Sequence, residues 1–137
     1  MKHEQTRIVG LIFLVAICFG ISGCCPALTQ DGPPSIAFTE VPAYGTYGDL
    51  QGYVTGVDPF NYRVVVYIYV YDWWIKPYYG QLTKFNGCGY WEADVTTGGI
   101  DHEATQIAAF IVPSDYDPSA HELPSGDDVI ASTIISR

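Results

Sequence analysis

The segment Tyr62-Arg63-Val64-Val65-Val66-Tyr67-Ile68-Tyr69-Val70-Tyr71 constrains the fold more than any other part of the chain. It is built of β-branched and aromatic residues, has no turn former before Asp72, and carries its single charge near its start. Side chains on an extended strand alternate between two faces. One face is therefore Val64, Val66, Ile68 and Val70, an apolar set suited to a core. The other is Arg63, Val65, Tyr67, Tyr69, Tyr71 and Trp73, an aromatic stripe that continues into Trp73-Trp74-Ile75-Lys76-Pro77-Tyr78-Tyr79. A single strand cannot bury such a face alone, so the chain must supply further strands.

It does. Tyr, Val, Ile and Thr dominate from Ile36 onward, and Gly, Pro, Asn and Asp break the pattern at short intervals. The predicted strands are Ile36–Val41, Leu50–Val57, Tyr62–Tyr71, Tyr90–Thr96, Thr105–Val112 and Val129–Ser136, with a shorter one over Leu82–Phe85. Turns are expected at Asp58-Pro59, Asn86-Gly87, Gly98-Gly99 and across the long Pro113–Asp128 stretch. No amphipathic helix is evident, since Pro124 and Gly126 interrupt His121–Asp128. Six or seven short strands with such turns predict an all-β, antiparallel two-sheet sandwich of immunoglobulin-like type over residues 35–137.

The N-terminal part has a different character. Ile8 to Ile21 is almost continuously apolar, follows Lys2 and Arg7, and is short for a spanning helix, the order of a secretory signal. The motif Ile21-Ser22-Gly23-Cys24 that closes it resembles the lipobox of bacterial lipoproteins. That resemblance implies a signal peptide over residues 1–23, cleavage before Cys24, and a diacylglyceryl thioether on the Cys24 thiol. It also implies residence in the bacterial cell envelope, at the outer membrane where a cell has two, because Cys25 rather than an aspartate follows Cys24. Two or more lipid chains hold a protein firmly to a bilayer. Residues 24–34 contain three prolines and no apolar period, so they are expected to form an extended tether. At about 3 Å per residue it spans no more than about 30 Å.

Charge limits the partners. Six basic residues stand against fifteen acidic ones, for a net charge of −9, and Lys2 and Arg7 fall in the expected signal peptide. Nucleic acid and anionic headgroups are therefore poor partners for the remaining domain. The membrane is expected to be met through the lipid anchor.

The candidate recognition surface is the aromatic stripe, with Tyr69, Tyr71, Trp73 and Trp74 as rings and Asp72 and Lys76 beside them. Rings with polar tips suit ligands that are partly apolar and partly hydroxylated. Sugars have that character, with C–H faces that stack on rings and hydroxyls that need groups such as Asp72, Lys76, Tyr78 and Tyr79. The competing reading is ordinary packing, because aromatics pair across strands, and the Pro77–Phe85 segment is placed to fold back over the stripe. A regular strand puts Trp74 with the core series and leaves Trp73 exposed. A bulge at Asp72 exchanges the two.

Catalytic patterns are lacking. The chain has no Gly-x-Ser-x-Gly elbow, no His-Glu-x-x-His and no Cys-x-x-Cys. His102 and His121 lie in acidic segments that read as solvated loops, and neither makes a zinc site alone. Ser114–Asp117 and Gly126–Asp128 lack the spacing of a calcium loop. No metal, cofactor or enzymatic activity is expected. Cys25 and Cys88 either pair or leave Cys88 free in its turn.

Tyr62–Tyr71, Trp73–Pro77, Asp94–Gly99 and Ile107–Phe110 together resemble an accessory β-sandwich module found in secreted bacterial proteins, over about residues 35–137. Such modules sometimes lie near carbohydrate-active domains, but no site residue follows from the resemblance. The expected function is non-catalytic recognition in the envelope, with glycans as the first ligand class and docking to another envelope protein as the alternative.

Overall fold

The computed structural model describes residues 32–137. The expected signal peptide, the lipid site Cys24, Cys25 and most of the tether lie outside these residues. Within them the chain forms seven strands: β1 (Ser35–Glu40), β2 (Asp49–Thr55), β3 (Tyr62–Tyr69), β4 (Trp73–Lys76), β5 (Tyr90–Asp94), β6 (Gln106–Pro113) and β7 (Ala131–Ser136). Two 3-10 turns, Asp101–Glu103 and Gly126–Asp128, are the only helical pieces among the described residues.

The strands form two antiparallel sheets, a three-stranded one ordered β1-β2-β5 and a four-stranded one ordered β4-β3-β6-β7. They pack face to face as an immunoglobulin-like sandwich. Between them lie Ile36, Leu50, Val54, Trp91 and Ala93 from the narrower sheet, and Val64, Val66, Ile68, Ile107, Ala109 and Ile111 from the wider one. The even series of β3 thus faces the core, as the period-two pattern predicts.

The odd series is also buried. Val65 and Tyr67 are fully enclosed, in a second cluster with Ile75, Ala108, Phe110 and Val112. The cover is the Pro113–Asp128 stretch, which the sequence marks only as a long turn. Tyr116, Leu123 and Val129 pack on this outer layer, together with Leu82. Hydrogen bonds hold the cover in place: the Tyr67 hydroxyl donates to the Ser119 carbonyl at 2.7 Å, and the Ile75 amide to the Ala120 carbonyl at 3.2 Å. Burial pushes the Tyr67 phenol well above its usual range. The Tyr67 and Trp73 part of the stripe is therefore packing, with Tyr67 meeting Phe110 edge to face at 6.3 Å, whereas Tyr69 and Tyr71 remain exposed.

Two strand expectations need correction. Leu82–Phe85 is not a strand; Thr83 forms an isolated bridge to Val64, and Phe85 enters the inter-sheet core. The run from Tyr62 to Trp74 is not one strand but a hairpin, because the chain reverses at Val70-Tyr71-Asp72. Tyr71 occupies the left-handed region at φ 62°, a position that glycine or asparagine usually fills. An Asp72 carboxylate oxygen accepts the Trp73 amide at 2.8 Å. With no glycine or asparagine at position 71, Asp72 is the turn's one compositional marker.

Cys88 lies in the Asn86–Gly89 turn and is disulfide-bonded. The question of its pairing with Cys25 falls on a residue outside the described range.

Candidate functional site

The hairpin decides what becomes of each candidate residue. Cross-strand register places Trp73 opposite Tyr69 and Trp74 opposite Ile68. Opposed residues share a face, so Trp73 joins the outer layer and Trp74 the inner one, the parity that the alternation predicts. Their exposure is the reverse of that expected. Trp73 is half-buried, packs on the outer cluster and meets Tyr69 edge to face at 5.2 Å. Trp74 is 45 % exposed. On the inner side, β4 meets a loop, residues 97–101, in place of a strand, and this loop covers Lys76 but leaves Trp74 open.

Lys76 is not available to a ligand in the way the sequence suggests. It is buried, donates to the Thr97 hydroxyl at 3.0 Å, and forms an ion pair with Asp101. A buried ammonium requires such partners. The Gly98 amide also donates to the Asp101 carboxylate, at 3.0 Å, so this pair orders the glycine turn beside Trp74.

Trp74 is fixed in position. Its indole N–H donates to the Val70 carbonyl at 3.2 Å, and the His121 ring meets it edge to face at 4.4 Å. His121 Nδ1 lies 3.0 Å from the Trp73 carbonyl and 3.4 Å from an Asp72 carboxylate oxygen. The sequence reading treats His121 as a solvated loop residue. Its role follows from the cover segment crossing the outer layer, which no local pattern reveals.

Two open clefts flank the hairpin tip. One, of about 330 Å³, is lined by Val70, Tyr71, Asp72, Trp74 and the Gly98–Asp101 turn, with Ile100 45 % exposed. The other, of about 360 Å³, is lined by Tyr44, Tyr69, Val70, Tyr71, Glu103 and Thr105. Val70 and Tyr71 line both, and Tyr71 is 87 % exposed. Of the sequence candidates, Tyr69, Tyr71, Asp72 and Trp74 line these clefts, whereas Trp73, Lys76, Tyr78 and Tyr79 line neither. Tyr44, Ile100 and Glu103 were not foreseen, since each lies on a loop distant in sequence from the hairpin.

Elsewhere, the exposed Tyr53 meets the half-buried Tyr90 edge to face, with Tyr90 donating to Glu92 at 3.0 Å. Asp49 is nearby, its carboxyl raised above the usual range by desolvation first and then by Glu92 and Asp94. Among the described residues, no group of three or more His, Cys, Asp or Glu side chains is placed to hold a metal ion. No family model, curated protein or solved structure matches the chain. The functional reading therefore rests on the site itself.

Proposed function

We propose that the chain is a lipid-anchored, non-catalytic recognition module of the bacterial cell envelope that binds glycans at the β3–β4 hairpin tip. The observation that carries this reading is Trp74, a large ring held half in solvent by the Val70 carbonyl and His121 beside a shallow, largely apolar cleft. Fixing an exposed ring in advance lowers the entropy lost when a ligand stacks on it. Asp72 and Tyr71 line the same cleft and carry polar groups that can bond sugar hydroxyls. The lipobox-like motif supports the envelope location.

The test is a tryptophan-fluorescence titration of the full-length protein with soluble glycans, chosen from an array screen. Trp74→Ala should leave the thermal melt nearly unchanged and weaken binding at least about tenfold, the scale of an interface anchor. Trp73→Ala should instead cost about 2–3 kcal/mol of stability, less than a fully buried tryptophan. Glycan binding unchanged in Trp74→Ala would overturn the reading.

Anchoring has its own test. Cys24→Ser should abolish lipid attachment, read by mass spectrometry of protein extracted from the membrane. An unmodified N-terminus at a residue other than Cys24 in the parent would refute the lipobox assignment.

The alternative, docking of another envelope protein, is favoured by β7. It is an edge strand on which Ile134 and Ile135 are 54 % and 37 % exposed. Co-purification of one fixed envelope partner in mild detergent, lost on Ile134→Lys, would support it.

A further inference from the structure

We propose that the cleft formed by Tyr44, Tyr69, Tyr71 and Glu103 binds a small organic cation of the trimethylammonium type. This site goes beyond the glycan reading and does not depend on it.

The rings come from three separate places. Tyr44 lies in the loop between β1 and β2, Tyr69 ends β3, and Tyr71 forms the hairpin turn. Aromatic faces carry negative electrostatic potential and attract cations held against them. Glu103 adds a full negative charge on the same cleft. Among the described residues its one ion-pair contact within 4.0 Å is His102, and no lysine or arginine is paired with it. The basic side chains of the described residues are occupied or elsewhere. Arg63 bonds the Pro59 and Tyr62 carbonyls, Lys76 pairs with Asp101, Lys84 is exposed off the cleft, and Arg137 bonds backbone carbonyls. With no basic side chain lining it, the cleft is unsuited to an anion.

The walls are set in advance. Arg137 donates to the Pro42 carbonyl at 2.6 Å and the Ala104 carbonyl at 2.8 Å, which ties the Tyr44 loop to the turn that carries Glu103. The Gly45 amide donates to the His102 carbonyl at 2.8 Å, and Tyr47 stacks on the His102 ring at 4.8 Å. The Thr105 amide donates to the Tyr69 carbonyl at 3.0 Å. Tyr71 is held at positive φ yet is 87 % exposed, so burial of its ring does not account for the conformation. The hairpin turn sets that conformation, and it leaves the ring free to meet a ligand.

The cation class follows from the rings. A quaternary group makes contact through its methyls and needs no acceptor, so ring surface and one negative charge suffice to hold it. Three tyrosine rings and the Glu103 carboxylate supply both. A volume of about 360 Å³ admits a small ligand. Arg137 lies behind the wall and is turned to the carbonyls of Pro42, Asp101, His102 and Ala104, so a headgroup that also bears phosphate would find no basic side chain lining the cleft, and a free solute is the assigned source.

The test is calorimetric titration of the full-length protein with choline chloride, at ionic strength matched with sodium chloride. Choline should bind saturably, and its neutral isostere 3,3-dimethyl-1-butanol about tenfold more weakly, the value of charge at an aromatic cage. Tyr44→Ala, at a surface position, should weaken choline about tenfold and Glu103→Gln several-fold. Trp74→Ala should bind choline as the parent does, which separates this site from the glycan cleft. Equal binding of the isostere, parental affinity in both Tyr44→Ala and Glu103→Gln, or no saturation by about 100 mM choline would overturn the proposal. Sedimentation of the protein with phosphatidylcholine vesicles, blocked by choline and lost in Tyr44→Ala, would overturn the assignment to a free solute.

Discussion

Tyr67→Ala should destabilise the protein by about 3–5 kcal/mol, the cost of removing a fully buried aromatic side chain. The ring has no exposed surface, packs on Phe110, and anchors the cover segment through Ser119. Val66→Asp should be at least as damaging, because it places a charge between the sheets. A β3 strand with one wet face would show a mild Tyr67 effect beside a severe Val66 effect. Denaturant midpoints of the two variants distinguish the cases. A Tyr67→Ala variant within about 0.5 kcal/mol of the parent would mean that the outer layer does not form. Tyr67→Phe should lose only about 1 kcal/mol, since it removes one hydrogen bond and keeps the packing. The consequence reaches the cleft beside Trp74, because the cover segment released from Tyr67 also carries His121, which steadies that ring.

Gly52→Ala should cost about 3 kcal/mol or more, at the upper end of overpacking effects. Gly52 is paired with Trp91 across β2 and β5, and the indole lies over it. A Cβ at position 52 would come within 2.5 Å of Trp91 Cζ2 and would also collide with the Ala37 carbonyl oxygen on β1. Neither obstacle yields easily: one is backbone in a sheet, and the other is a ring that is 1 % exposed in the core. Combining Gly52→Ala with Trp91→Phe should cost less than the sum of the two single changes, because the smaller ring relieves one of the collisions. Thermal melts of the four proteins read the coupling. A Gly52→Ala variant that melts with the parent would show that the indole does not cover β2 at this point.

These two predictions mark where local pattern stops. The alternation in β3 correctly assigns Val64, Val66 and Ile68 to one face and Tyr67 to the other. It also assigns Trp73 and Trp74 to opposite faces, and their parity survives the reversal at Tyr71. Parity is a property of the extended backbone, so neighbouring residues suffice to determine it. All six principal strands are found within one or two residues of their expected bounds; β3 ends at Tyr69 rather than Tyr71 because the chain reverses there, and the strand that follows the reversal, β4, has no counterpart among them. Period-two runs and turn formers are local signals too.

Exposure is not local. Trp73 is half-buried because residues from 116 to 129 cross the outer face of the wider sheet, and Trp74 is open because only a loop meets β4 on the inner side. Lys76 pairs with Asp101, a residue 25 positions away, and that pairing removes it from the expected site. The tyrosine-and-glutamate cleft draws on residues from Tyr44 to Thr105, which no periodicity connects. Local pattern reaches six of the seven strands, the sandwich class and the faces of the β3 residues, but not the short strand β4. Tertiary structure alone decided which faces stay wet and which side chains meet, because that depends on where distant segments pack rather than on the backbone geometry of neighbours.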